Sequence, residues 1–238
     1  MHIPKTGSDA RILFIGNSYT SRNNLPRLLA NLAAVAQHPR TLHVESIVAG
    51  GASLRRHWNA GKAQQAIANG AWNYVVLQEQ STLPVKNSHR YHDNVRLFAA
   101  EIVAHEARTV LYLTWSRQSA PQTQDVITRA VTDISGEVNA VVVPVGETWQ
   151  RVLRESPEIR LYTEDGSHPT PAGSYLAACV FHVALFGERV QDDSIANALN
   201  LDNGAARKLQ AASWVCRDFR GELSRPTADK PSDTGMSR

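Results

Sequence analysis

Five apolar runs of strand length divide the chain, at residues 12–15, 42–48, 74–77, 109–114 and 140–145. The first is an unbroken Ile-Leu-Phe-Ile, the form of a strand covered on both faces. Between the runs, apolar residues recur at helical spacing. Leu25, Leu28, Leu29, Leu32 and Val35 mark a helix that opens after a cap at Asn24 and ends near Gln37 to Pro39. The same pattern predicts helices over 53–70, anchored on Leu54, Trp58 and Ile67, and over 95–107, 126–138 and 147–154. A last core helix runs from Pro171 to Phe186, where Gly187 stops it. Residues 84–92 read as a polar loop. Strands alternating with helices through short links imply a parallel sheet with right-handed crossovers. The expected fold is a flavodoxin-like three-layer α/β/α sandwich on a five-stranded parallel sheet. A further helix over 203–223 carries Ala206, Leu209, Ala212, Val215 and Phe219 on one stripe, which would pack on the domain or on a partner. The resulting division is an α/β domain over 1–190, a helical extension over 191–224, and a tail over 225–238 whose Pro, Ser, Thr and Asp content predicts disorder.

Composition narrows the functional classes. At 238 residues the chain can bury one sizeable core. The formal net charge of +3 is local, because from Ala205 onward seven Lys or Arg face four Asp or Glu and the remainder is neutral. That is a solvated end rather than a nucleic-acid arm, so no nucleic-acid partner is expected. Cys179 and Cys216 are the only cysteines and are expected as buried thiols rather than a disulfide framework. The opening Met1-His-Ile-Pro-Lys5 has no apolar leader pattern, and no run approaches membrane-spanning length. A soluble, cytoplasmic protein without a membrane partner is the expectation. His89 and His92 lack acidic or thiol partners at zinc-like spacing, so no metal is expected there.

The candidate chemistry lies where the first strand ends, in Arg11-Ile-Leu-Phe-Ile-Gly-Asn-Ser-Tyr-Thr20. In open parallel sheets ligands bind outside the carboxyl ends of the strands, and Ser18 falls at such an end. Asn17 or Ser18 would equally serve as a helix cap. A second polar cluster, Glu164-Asp-Gly-Ser-His-Pro-Thr-Pro-Ala-Gly173, puts Asp165 and His168 three apart in a turn before a helix. A serine becomes nucleophilic when a base takes its proton, and the base needs a third group to fix its tautomer. Ser18, His168 and Asp165 together supply those three parts. Their nearest alternative is a cap plus an ordinary surface turn.

With these residues the sequence resembles the SGNH (GDSL-type) hydrolase superfamily, whose first motif is Gly-Asp-Ser after the first strand and whose last is Asp-x-x-His. Here they read Gly16-Asn17-Ser18 and Asp165-Gly166-Ser167-His168. The resemblance implies Ser18 as nucleophile, His168 as general base and then acid, and Asp165 as the carboxylate that orients it. Asn17 replaces the usual Asp, a change expected to alter local hydrogen bonding rather than the nucleophile. Gly50-Gly51 follows the second strand and matches the second motif, a Gly whose N–H faces the oxyanion; a simple turn is the alternative. The third motif departs most, since Gln78-Glu-Gln-Ser-Thr82 stands in place of Gly-x-Asn-Asp. An amide of Gln78 or Gln80 would then supply the oxyanion donor, with Gln78 preferred as nearest the strand end, beside the N–H groups of Ser18 and Gly51. Asn17, Tyr19, Gly50 and Trp115 are the pocket candidates, with core packing the alternative for Trp115. The expectation is a cofactor-free serine esterase acting on a short-chain or O-acetyl ester of a small molecule or carbohydrate. A non-catalytic ligand-binding domain on the same fold is the alternative.

Overall fold

The computed structural model describes residues 9–219. In chain order they form β1 (Ala10–Gly16), α1 (Ser18–Ser21), a 3-10 turn, α2 (Leu25–Ala34), β2 (Leu42–Val48), α3 (Leu54–Ala60), α4 (Lys62–Asn69) and β3 (Tyr74–Leu77). There follow α5 (Leu83–Lys86), α6 (Ser88–Ala104), β4 (Arg108–Tyr112), α7 (Gln124–Glu137), β5 (Val141–Val143), α8 (Val145–Glu155), α9 (Pro171–Phe186), α10 (Ser194–Ala198) and α11 (Asn203–Val215). The five strands are all parallel, in the order β2-β1-β3-β4-β5. This is the flavodoxin-like winding, whose order reverses beside β1 and opens a crevice at the carboxyl end of that strand.

Alternate residues of the central strands feed two cores. Ile12 and Phe14 of β1, with Val110 and Tyr112 of β4, pack under α2, α8 and α9. Leu13 and Ile15, with Leu111, face α3, α4, α6 and α7. Two-sided burial explains why these strands read as unbroken apolar runs, whereas edge strand β2 carries exposed His43, Glu45 and Ser46. Helix α9 is apolar around its whole circumference because the sheet lies on one side and α11 covers another. Ala206 and Leu209 of α11 belong to the same core, so the predicted stripe packs on the domain.

Several local expectations change. The helix over 53–70 is two helices, since Gly61 ends α3 by donating its N–H to Trp58 O. The polar loop over 84–92 is instead helical, formed by α5 and the first turns of α6. Its start is set by Asn87, whose side chain accepts the Arg90 N–H. There His92 donates from Nε2 to Ala130 O, and His89 sits 3.2 Å from Asp93. Asn24 makes no cap bond. β5 is shorter than expected because Pro144, without an N–H, separates it from α8 at Val145. Residues 220–223 of the last predicted helix, and the tail from Arg225, lie outside the described residues. Among those described, no helix is long and apolar enough to cross a membrane, and both cysteines are buried.

Candidate active site

Ser18 is the first residue of α1 and is half-buried just beyond the carboxyl end of β1. Its Oγ lies 2.8 Å from His168 Nε2, across 150 residues of chain. His168 Nδ1 in turn lies 2.5 Å from Asp165 Oδ2. The 163–168 turn that carries both residues is built around the aspartate: Asp165 Oδ1 accepts the N–H groups of Ser167 and His168 and the Thr163 hydroxyl, each at 2.9 Å. The His168 ring, then the His168 and Ser167 N–H groups, hold the Asp165 carboxyl far below the usual carboxylate range. An ionised Asp165 favours the tautomer with its proton on Nδ1, which leaves Nε2 to accept from Ser18.

The turn is seated on an aromatic stack. Tyr19 lies flat on Trp115 with ring centroids 4.7 Å apart, and Trp115 on Trp149 at 3.9 Å. Trp115 Nε1 donates to Ser167 O, while the Tyr19 hydroxyl bonds Ser167 Oγ at 2.7 Å. The Tyr19 ring also meets His168 edge-on at 5.7 Å. Tyr19 and Trp115 are therefore not pocket walls: at 4% and 1% exposure they are spent on supporting the turn from behind. Ser167 and Trp149 belong to this support, and nothing in their local sequence announced it.

Asn17 is likewise removed from the pocket, at 3% exposure. Its Oδ1 caps α1 by accepting the Tyr19 N–H, and its Nδ2 donates to Ala52 O at 3.0 Å. Ala52 closes the turn after β2 by donating to Ala49 O, with Gly50 and Gly51 exposed between them. Gly51 has φ +63°, where a side chain would be strained. No partner within the described residues engages the N–H groups of Ser18 or Gly51.

The preference for Gln78 as oxyanion donor does not survive. Its side chain is fully buried; Oε1 accepts from Asn17 N and Thr20 Oγ1, and Nε2 donates to Glu79 O. It is a tie between β3 and β1, so tight that a Cβ on Gly16 would stand 2.6 Å from Gln78 Oε1. Gln80 differs. It is half-buried, its Oε1 accepts both the N–H and the hydroxyl of Thr82 at 3.0 Å, and its Nε2 has no partner among the described residues. Of the two glutamines, Gln80 is the one whose amide N–H groups are left to donate. Beneath lie two buried ionisable groups. His57 bonds Gly16 O through Nε2 at 2.7 Å, and burial pushes its pKa down. Burial pushes the Glu79 carboxyl up. Among the described residues, no group of three or more His, Cys, Asp or Glu is placed to hold a metal ion.

No protein-family model and no curated protein matches the sequence. Solved structures do. A protein of Slackia heliotrinireducens assigned to the SGNH hydrolases is 30% identical, with TM-score 0.62, over 74% of this chain and 98% of that one. A DUF4886 family protein from Bacteroides uniformis is 19% identical, with TM-score 0.66, over 89% and 96%. An acetylxylan esterase from Geobacillus stearothermophilus, in a catalytic-mutant form, is 18% identical, with TM-score 0.62, over 79% and 100%. The latter two show the shared fold. The first match spans nearly the whole of its partner at an identity that carries the family along with the fold, and the chain belongs to the SGNH (GDSL-type) hydrolase superfamily.

Proposed function

We propose that the protein is a serine esterase that cleaves short-chain or O-acetyl esters through Ser18, His168 and Asp165. The observation that carries this reading is the unbroken hydrogen-bonded line from Ser18 Oγ through His168 to Asp165 at the carboxyl end of β1. In the first half-reaction Ser18 Oγ attacks the ester carbonyl carbon as His168 Nε2 takes the hydroxyl proton. The tetrahedral oxyanion is received by the N–H groups of Ser18 and Gly51 and by Gln80 Nε2. Collapse breaks the bond to the alkoxy oxygen, and His168 returns the proton to the departing alcohol. Water, deprotonated by the same Nε2, then attacks the acyl-serine, and the reverse transfer frees the carboxylic acid and Ser18. Asp165 stabilises the imidazolium formed in each half-reaction without taking its proton. A carbohydrate O-acetyl ester is the proposed substrate class, in keeping with the acetylxylan esterase that shares the fold.

A fluorophosphonate probe followed by peptide mapping tests the nucleophile, and p-nitrophenyl acetate tests turnover. Ser18 is expected to carry the label. Ser18→Ala and His168→Ala are expected to lose both labelling and turnover with an unchanged melting temperature, and Asp165→Asn to lose less, because triad losses do not add. An unlabelled, folded wild type would leave a ligand-binding domain in place of an enzyme.

A further inference from the structure

Glu79 stands on the strand-end loop after β3, is 5% exposed, and has no part in the chemistry proposed above. Its Oε1 accepts two backbone N–H groups, from Leu54 at 3.0 Å and from Gln80 at 2.7 Å. Its Oε2 accepts from Asn94 Nδ2 at 2.8 Å, and Asn94 Oδ1 is occupied by Arg55 Nε at 3.0 Å. Leu54 opens α3 three residues after Gly51, and its N–H is one of the donors that a helix start leaves without an internal partner. A single carboxylate oxygen therefore ties the loop after β2 to the loop after β3. The first carries the Gly51 N–H, the second the Gln80 amide.

Resting on the esterase reading, we infer that Glu79 is a positioning residue that fixes the separation of the two oxyanion donors contributed by different loops. Each donor already has one further restraint. Asn17 Nδ2 holds the Gly51 turn to the end of β1 through Ala52 O, and Thr82 holds Gln80 Oε1. Neither joins the two loops to each other; Glu79 does. Burying a carboxylate is costly unless its lone pairs are filled, and here three donors fill them. A clamp of this kind acts on the transition state alone, because the oxyanion forms only after attack.

The reach of the side chain, rather than its charge, is the property at stake, which separates Glu79→Gln from Glu79→Asp. Glutamine keeps Oε1 where both N–H groups meet it but turns its Nε2 on Asn94 Nδ2, which Arg55 holds in place, so Asn94→Asp is added to accept from it; aspartate at 79 is one methylene too short to serve both N–H groups. With p-nitrophenyl acetate, E79Q/N94D is expected to keep kcat within about threefold of wild type, and E79D to lose roughly tenfold to 100-fold with KM unchanged. Equal kcat in E79D and wild type, or a loss confined to KM, overturns the inference. Should E79D fail to fold, Asn94→Leu carries the same test by removing the donor that holds Glu79 Oε2 and so the carboxylate in place: loss in kcat alone supports the clamp, and an unchanged kcat overturns it. An inactive wild type would instead count against the esterase reading itself.

Discussion

An amide at position 17 can do what a carboxylate cannot, since Oδ1 caps α1 while Nδ2 donates to Ala52 O. Aspartate there would set an acceptor against a carbonyl. Asn17→Asp is therefore expected to cost about 1–3 kcal/mol of stability, the penalty for leaving a buried polar group unpaired, and to lower kcat by loosening the Gly51 turn. Thermal unfolding at neutral pH reads the first effect, and an unchanged melting temperature would count against this account of the Asn. The two glutamines should part in the same manner. Gln80→Ala is expected to lower kcat on the order of 100-fold with KM nearly constant, the signature of a lost oxyanion donor. Gln78→Ala should instead destabilise by about 2–3 kcal/mol, because it orphans Asn17 N–H and the Thr20 hydroxyl inside the core. A strong kcat effect from Gln78→Ala in a fully folded protein would restore it as the donor. Ser18, Asp165 and His168 could be read from sequence because short polar motifs stand out between apolar runs. Glu79 and Ser167 could not, since what defines them are partners 25 to 148 residues away.

At the scale of elements, the turn bearing His168 is held from behind. Gln118 N–H donates to Gly166 O, Tyr162 pairs with Pro169 across the turn, and Asn23 donates to Pro169 O. The stack of Tyr19, Trp115 and Trp149 closes the remaining side. Trp115→Phe keeps a stacked ring but deletes the Nε1 bond to Ser167 O. It should cost about 1 kcal/mol of stability and lower kcat roughly tenfold, since small displacements of a base are expensive. If kcat for p-nitrophenyl acetate held while the melting temperature fell, the tryptophan would be a core residue with no hold on the base. Strand positions were legible because two-sided burial leaves an unbroken apolar run. The start of α6 was not: its first turn, Ser88-His89-Arg90, faces solvent and carries no apolar position for the periodicity to register. The aromatic stack also escaped notice, because its members come from three separate stretches of chain, with Tyr19 and Trp115 read as pocket candidates and Trp149 as one more residue of a predicted helix.

Over the whole molecule, the buried histidines lower stability as the pH falls. His182 lies inside α9 at 0% exposure, and neither ring nitrogen has a partner among the described residues. The ring meets Phe186 edge-on at 5.4 Å, near the ion pair of Arg40 with Glu188. Burial pushes its pKa down to about 4; Glu188 opposes this and Arg40 adds to it. In the unfolded chain an imidazole takes its proton near 6.5. As pH falls below that value the unfolded state binds a proton that the folded state refuses, so stability drops until the folded-state value is reached. The group contributes no further change above about 7 or well below 4. Between pH 7 and 5 the loss is about 2 kcal/mol, or roughly 4–8 °C in melting temperature for a chain of this size. His57, also pushed down by burial, works in the same direction. His182→Leu removes the titrating group and two buried nitrogens without partners while nearly conserving volume, so it should raise the melting temperature at pH 5 more than at pH 7.5. The comparison requires only thermal unfolding of both proteins at the two pH values. A variant that shows the full wild-type drop would take the acid sensitivity away from α9 and leave His57, bonded to Gly16 O, as the other buried histidine to test.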